Sequence, residues 1–219
     1  MAFLNTLVEF EGVVADVRAR YWAAHCEALT ATGLRGPTAD EFWRLIRIGA
    51  PDGMFVPHAK PAQVVEYKRA RDARIEASDL MRLDEAQPAA APNLKLLKSL
   101  GSSHLVTLSR NREGINATLD RLEVWMHFDQ KRALPEDRDR RVDALRELVG
   151  GQRTLAIVGT IPMAYAAGEA GCRVVALRTG LAFPKRFQQM GVDVIYDDLD
   201  QLTEALTRRA PELQKLGVL

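Results

Sequence analysis

The sequence predicts an α/β protein: a doubly wound, Rossmann-like parallel sheet with an α-helical segment inserted after its first strand. Three observations carry this. Short, nearly all-apolar runs recur at 4–9, 104–108, 154–158, 172–177 and 193–196. Segments long enough for a helix separate the last three runs, and strands apolar on both faces belong to parallel sheets covered by helices. Residues 17–88 carry helical patterns and no strand-like run.

Each element has its own signal. The first run, Thr6-Leu7-Val8-Glu9, leads into Phe10-Glu11-Gly12. The two-residue period of a strand puts Glu9 and Glu11 on one side and Phe10 on the other. Gly12 permits a sharp turn or a close backbone approach. Two carboxylates at the mouth of a buried strand are unfavourable unless they are used or neutralised. In the insertion, helices are expected over 16–32, closed by Gly33; over 38–48; and over 61–78. Thr38 with Glu41 three residues on has capping-box spacing. Residues 49–53 read as a turn or hinge, and Pro88 to Pro92 as the return linker. In the core, helices are expected over 113–122, 138–148, 162–169 and 199–208, the last with Leu202, Ala205 and Leu206 on one face. Ligands in such sheets bind beyond the carboxyl ends of the strands, where Glu9, Thr107 and Gly159 all fall.

The bulk properties narrow the class. With 219 residues, 47% of them hydrophobic, the chain suits a core domain with an insertion. A net charge of +1 gives no electrostatic reason to expect nucleic acid or a membrane surface as partner. No run approaches the roughly 20 apolar residues of a membrane span, and Asn5, Glu9 and Glu11 interrupt any leader-like stretch. A cytoplasmic protein is expected. Cys26 and Cys172 read as reduced core thiols, and Trp43 and Trp125 as core anchors. His25, beside Tyr21 and Trp22, reads as part of a packing cluster; His58 has no metal-ligand partner at usable spacing. The basic run Lys131-Arg132…Arg138-Asp139-Arg140-Arg141 is interleaved with acids and reads as a solvated helix start.

Taken in order, these residues resemble the haloacid dehalogenase-like (HAD) superfamily. The likeness is to members with a helical cap after the first strand, phosphoglycolate phosphatase-like and β-phosphoglucomutase-like proteins among them, and it covers essentially the whole chain. It implies an HAD-like core of residues 1–16 and 89–219 and a cap of residues 17–88. The family's first strand ends in Asp-x-Asp-Gly-Thr with a further Asp four residues after the Gly. Here Glu9, Phe10, Glu11, Gly12 and Val13 stand in those places, and Asp16 matches the further Asp. The second motif, a Ser or Thr ending the next core strand, falls on Thr107, with Ser109 a weaker candidate. Residues 122–129 resemble the approach to the third strand. The Lys expected before the helix preceding strand four is replaced by Arg141, in the frame Arg141-Val142-Asp143-Ala144-Leu145.

The fourth motif departs furthest. The family runs an apolar strand into Gly-Asp-(three residues)-Asp, a small-residue helix, a Gly and another strand. Residues 155–177 keep this frame, including Pro162, but Thr160 holds the first Asp position and Met163 or Ala164 the second. No Asp or Glu occurs between Gly159 and Glu169.

The resemblance implies an aspartyl nucleophile, a second Asp as general acid and base, and Mg2+ bridging them to the fourth motif. Glu9 adds a methylene, about 1.5 Å of reach, and a misplacement of about 1 Å can cost roughly a hundredfold in rate. Only Glu9, with the Glu11 carbonyl, is left as a metal ligand, so Mg2+ binding is expected to be weak or absent. No other cofactor is implied.

Three functions follow. The first is an HAD-like protein that has lost Mg2+-dependent phosphohydrolase activity and binds a small, even phosphorylated, ligand or a protein partner between cap and core. The second is an active hydrolase of a small phosphorylated metabolite using Glu9 and Glu11. The third is a structural subunit that forms a homo-oligomer through its cap or sheet edge.

Overall fold

The structure is a computed structural model, and it describes residues 4–218. Residues 1–3 and 219 of the expected core segments lie outside the described residues. The chain opens with β1 (Asn5–Glu9) and a two-residue strand β2 (Ala15–Asp16). Helices α1 (Arg18–Thr32), α2 (Ala39–Ile48), α3 (Pro61–Ile75) and the one-turn α4 (Ser78–Met81) follow. β3 (Glu85–Ala86) then pairs antiparallel with β2, a narrow ribbon through which the chain leaves the sheet and returns. The order continues as α5 (Ala90–Leu100), β4 (Ser103–Thr107), α6 (Arg112–Arg121), β5 (Gln130–Ala133) and α7 (Arg138–Val149). After β6 (Thr154–Val158), α8 (Ile161–Glu169) and β7 (Arg173–Leu177) come α9 (Pro184–Gln188), β8 (Ile195–Tyr196), α10 (Leu199–Thr207) and α11 (Pro211–Lys215).

The six sheet strands are parallel in the order β5-β4-β1-β6-β7-β8. The chain fills one side of β1, then crosses to the other, so the order reverses between β1 and β6. That is the crevice in which such sheets bind ligands. Strand alternation sorts the core into two layers. Val8, Leu105, Leu155, Ile157 and Val175 face α5, α6 and α10, while Leu7, Val106, Ala156, Val158 and Ala176 face α7, α8 and α9. Every residue of β1 and of β6 is buried, as the double-sided apolar runs require.

The helices between the ribbon strands have a small core of their own, around Ala28, Phe42, Leu45, Phe55, Val56 and Tyr67. The local signals are used as the sequence reads. Gly33 ends α1 at φ 66°, and Thr38 and Glu41 form a reciprocal capping box on α2. His25 is fully buried, stacked on Phe42 at 4.6 Å, with Nδ1 2.6 Å from the Tyr67 hydroxyl.

Several expectations are corrected. α1 starts at Arg18 rather than residue 16, because Ala15 and Asp16 belong to the ribbon. The helix expected over 61–78 stops at Ile75, and a short separate turn begins at Ser78. The return linker is largely helix: Ala90 starts α5, and Pro92 fits its first turn because the N–H it lacks has no partner there. Lys131 and Arg132 lie in the edge strand β5, not at a helix start. Trp125 is not a core anchor; it is 48% exposed, with the Lys131 ammonium over its ring.

Candidate functional site

The crevice between β1 and β6 holds Glu9, and the one between β1 and β4 holds Glu11. β1 ends at Glu9 and the chain turns through Phe10, so the two acids do not simply share a strand face. Glu9 is fully buried. Its Oε2 accepts the N–H groups of Gly159 at 2.7 Å and Thr160 at 3.0 Å, and its Oε1 lies 2.6 Å from the Thr160 hydroxyl. The Thr160 hydroxyl also accepts the Met163 N–H as the cap of α8. One side chain thus closes the helix end and anchors Glu9.

Glu11 turns the other way. Its Oε1 accepts from the Thr107 hydroxyl at 2.5 Å, and its Oε2 from the Leu108 N–H at 3.4 Å. It is 3% exposed. Burial pushes the Glu9 carboxyl up to about 8, reinforced by the charge of Glu11 and opposed by the Thr160 and Gly159 bonds. Burial also raises Glu11, against the Thr107 bond and the Arg20 charge. At neutral pH Glu9 is held largely protonated. An acid proton on Oε1 can be donated to the Thr160 hydroxyl while Oε2 keeps both amides, so the same geometry suits the neutral form.

Backbone closes the space around the pair. At Gly180, in the loop after β7, an added Cβ would lie 2.2 Å from the Gly159 carbonyl oxygen. At Gly12 (φ 76°) it would lie 2.6 Å from the Gly180 Cα, and at Gly159 2.6 Å from the Glu11 carbonyl oxygen. The Leu181 N–H donates to the Gly159 carbonyl at 2.7 Å. Three glycines therefore let three chain segments meet beside the pair.

These residues do not fit a Mg2+ ion. Mg2+ asks for octahedral oxygen ligands, among them one or two carboxylates. Both Glu9 oxygens are already committed to hydrogen bonds with Gly159 and Thr160, Thr160 offers no anion, and the Glu11 carbonyl faces the Gly159 backbone. Met163 and Ala164, at the other motif position, are buried in the core on α8. Among the described residues, no group of three or more His, Cys, Asp or Glu side chains is placed to hold a metal.

The remaining residues singled out from the sequence are placed as follows. Arg141 lies on α7, where its Nε donates to the Pro135 carbonyl at 3.1 Å and its Nη2 to the Glu136 carbonyl at 2.7 Å. Burial lowers its pKa, and the pull of Glu9 opposes this. Asp16 is held by the Arg18 guanidinium and amide. Ser109 donates to Glu76, at the end of α3.

Glu76 is a site residue that sequence reasoning missed. Its Oε2 accepts from the Ser109 hydroxyl at 2.7 Å, the Arg110 N–H at 2.8 Å and the Asn111 N–H at 3.0 Å. Asn111 returns the contact through its side-chain amide, to the Glu76 carbonyl at 2.8 Å. This pins the helices of the insertion to the loop beyond β4. A second pin is Arg47, whose Nη2 donates to the Arg178 carbonyl at 3.2 Å while its guanidinium lies over the Phe183 ring at 4.4 Å. Sequence reading also missed the buried pair Arg20–Asp84, 3.1 Å apart but not aligned as a hydrogen bond. Burial pushes the Asp84 carboxyl up to about 7. Neither contact has a local signal, since the partners are far apart in sequence.

Beside the Glu76 pin lies a cleft of about 310 Å³ lined by Tyr21, Ile46, Ile75, Leu108, Arg110 and Arg141, among others. A larger hollow, about 790 Å³, lies around Cys172, Met190 and Leu216. Its lining includes the amino end of β7, so it opens away from the strand ends that carry Glu9 and Thr107.

No protein-family model matches the chain, and no curated protein matches it by sequence. Solved structures do match in fold. A haloacid dehalogenase-like hydrolase family protein from Streptococcus pneumoniae superposes with TM-score 0.77 at 14% identity, covering 94% of this chain and 100% of its own. A protein from Haemophilus somnus 129pt, named a predicted phosphoglycolate phosphatase, gives TM-score 0.72 at 17% identity, covering 94% and 99%. CbbY from Rhodobacter sphaeroides, solved in complex with phosphate, gives TM-score 0.63 at 22% identity, covering 91% and 96%. The chain has the haloacid dehalogenase-like fold with a helical cap, the fold that its motifs imply.

Proposed function

We propose that this HAD-fold protein does not carry out Mg2+-dependent phosphoryl transfer and instead binds a small molecule between its cap and core. One observation carries the reading: Glu9, in the nucleophile's place, is fully buried with both oxygens committed to Gly159 and Thr160. A carboxyl held largely protonated and closed in by backbone is a poor nucleophile and a poor metal ligand. Glu11 occupies the donors of Thr107 and Leu108 in the same way, so the chain's own acids fill the positions that a phosphoryl group and an ion would need. The cleft beside the Glu76 pin, between cap and core side chains, stays open to a ligand.

The test is hydrolysis of an aryl phosphate with and without Mg2+, by the natural protein and by a Glu9→Asp, Glu11→Asp, Thr160→Asp variant. The shorter acids would retreat from their present partners, and the aspartate introduced by Thr160→Asp could still cap α8. The reading expects turnover, if any, from the variant alone. Metal-dependent turnover by the natural protein, lost in Glu9→Ala, would establish the active-hydrolase reading instead.

A further inference from the structure

We propose that the free edge of the sheet, β5 with the groove between it and α6, docks an extended acidic segment of another protein by adding it as a further strand. This surface shares no lining residue with the cap–core cleft and lies outside the function proposed above.

Topology supplies the template. β5 ends the sheet and pairs with β4 alone, and among the described residues no other backbone hydrogen-bonds to Gln130–Ala133. Such an edge presents a row of unpaired N–H and C=O groups to an incoming strand. The opposite edge, β8, has two residues, too few to direct one. Register decides which side chains border the incoming strand. Leu105 pairs with Lys131 and Thr107 with Ala133, so these four share the α6 face, while Arg132 belongs to the α7 face, where it meets Glu147 at 2.6 Å.

On the α6 face lies a hollow of about 190 Å³. Its floor is the buried Leu105 and Ile115, and its rim carries Arg112, Asn116, Lys131 and Arg132. No carboxylate lines it; the α6 acids Glu113 and Asp120 are not part of the wall. Arg132 has Glu147, but Arg112 and Lys131 have no carboxylate partner among the described residues. The Thr107 hydroxyl is already spent on Glu11 and the Ser109 N–H. The cationic strip continues along the edge. The Lys131 ammonium lies over the Trp125 ring at 5.4 Å, and Trp125 and Met126 are exposed on the 3-10 turn before β5. Burial and then the Lys95 charge lower the His127 pKa, which places another cation at that turn.

These charges select the occupant. A second copy of this chain is disfavoured, because antiparallel pairing of two β5 strands would set Lys131 and Arg132 against the same residues. An acidic strand meets them with the opposite charge. Side chains two residues apart fall on one face of a strand. The pattern acid-x-apolar-x-acid therefore puts an apolar group over Leu105 and Ile115 with carboxylates at Arg112 and Lys131. The hollow is smaller than the roughly 300–1,000 Å³ of small-molecule pockets and has room for one aliphatic side chain.

The experiment follows backbone amide NMR of the full-length protein during titration with the peptide acetyl-Thr-Glu-Thr-Val-Thr-Glu-Thr-amide. A copy with Lys in place of Glu and a fully N-methylated acidic copy serve as comparisons. The acidic peptide is expected to give saturable shifts confined to residues 130–133, α6 and the Trp125 indole. The Lys copy should bind about tenfold more weakly, and the N-methylated copy, which cannot donate to the edge, about tenfold more weakly as well. Arg112→Gln and Lys131→Gln, both at exposed positions, should each weaken binding about threefold, and Lys131→Glu about tenfold. The proposal is overturned by equal binding of either comparison peptide, by unaffected variants, or by no saturation at millimolar peptide. It is also overturned by shifts centred elsewhere, by the same shifts with inorganic phosphate alone, or by concentration-dependent shifts at the edge without peptide, the mark of self-pairing. None of these outcomes touches the non-hydrolytic reading, since no peptide or variant alters a residue of the cap–core cleft.

Discussion

Replacing Glu9 with Gln should make the protein less sensitive to alkaline pH. In the fold, the Gln carbonyl can accept the Gly159 and Thr160 amides while its NH2 donates to the Thr160 hydroxyl, reproducing the neutral acid. The sign follows from linkage. The Glu9 carboxyl ionises near its usual value of 4.5 when unfolded but is pushed up to about 8 when folded. Below the lower value both states hold the proton, and the group's contribution is fully present. As pH rises the unfolded chain releases the proton first, and stability falls until the folded site ionises as well. Each unit in that window is worth about 1.4 kcal/mol, so between pH 5 and pH 8 the natural protein should lose on the order of 4 kcal/mol relative to Glu9→Gln. Asp84 is present in both proteins and largely cancels from the difference, while the Glu11 repulsion that reinforces the Glu9 shift is part of what the substitution removes. Urea unfolding at pH 5, 7 and 9 measures it. The variant should gain on the natural protein steadily as pH rises. Parallel stability profiles, with a constant offset at every pH, would refute the claim that Glu9 is a neutral, buried acid.

Other substitutions test neighbouring parts of the account. Gly180→Ala would place a Cβ 2.2 Å from the Gly159 carbonyl oxygen, so stability should drop by about 3 kcal/mol or more in urea unfolding. Gly33→Ala, at φ 66° with nothing within 4 Å of the added Cβ, should cost only about 1 kcal/mol in the same assay. Glu76→Ala removes an acceptor for three donors and should cost about 1–3 kcal/mol, with faster hydrogen exchange at the Arg110 and Asn111 amides. His25 is pushed down to about 4 by burial, so the folded cap resists its protonation. As pH falls from 6.5 toward 4 the unfolded chain takes up the proton first, and stability should fall by on the order of 3 kcal/mol. Trp fluorescence in acid should show this loss, and a His25→Leu variant should lack it.

Much of the fold could be read because its signals are local. The span 154–158 is apolar throughout and becomes β6 with the expected bounds. Gly33 and the Thr38–Glu41 box mark helix ends through bonds to near neighbours. β5 could not be read this way: Gln130-Lys131-Arg132-Ala133 is an edge strand with its first two residues exposed, so it carries no apolar run. Pro92 disguised α5 as a linker, although Pro is tolerated in a first turn. At the candidate site, the residue types were legible and their partners were not. The sequence shows Glu9 and Thr160 in altered motif positions. Only the packing of β1 against β6 shows that the two are bonded to each other, 151 residues apart. Glu76 was invisible for the same reason, its partners lying 33 to 35 residues further on.

Calorimetric titration of the natural protein with Mg2+ near neutral pH, paired with an assay of aryl phosphate turnover in the same samples, tests the central claim most directly. With both Glu9 oxygens committed to Gly159 and Thr160, the account predicts no saturable Mg2+ binding at millimolar concentration and no metal-dependent turnover. Saturable binding that disappears in Glu9→Ala, accompanied by turnover, would contradict it.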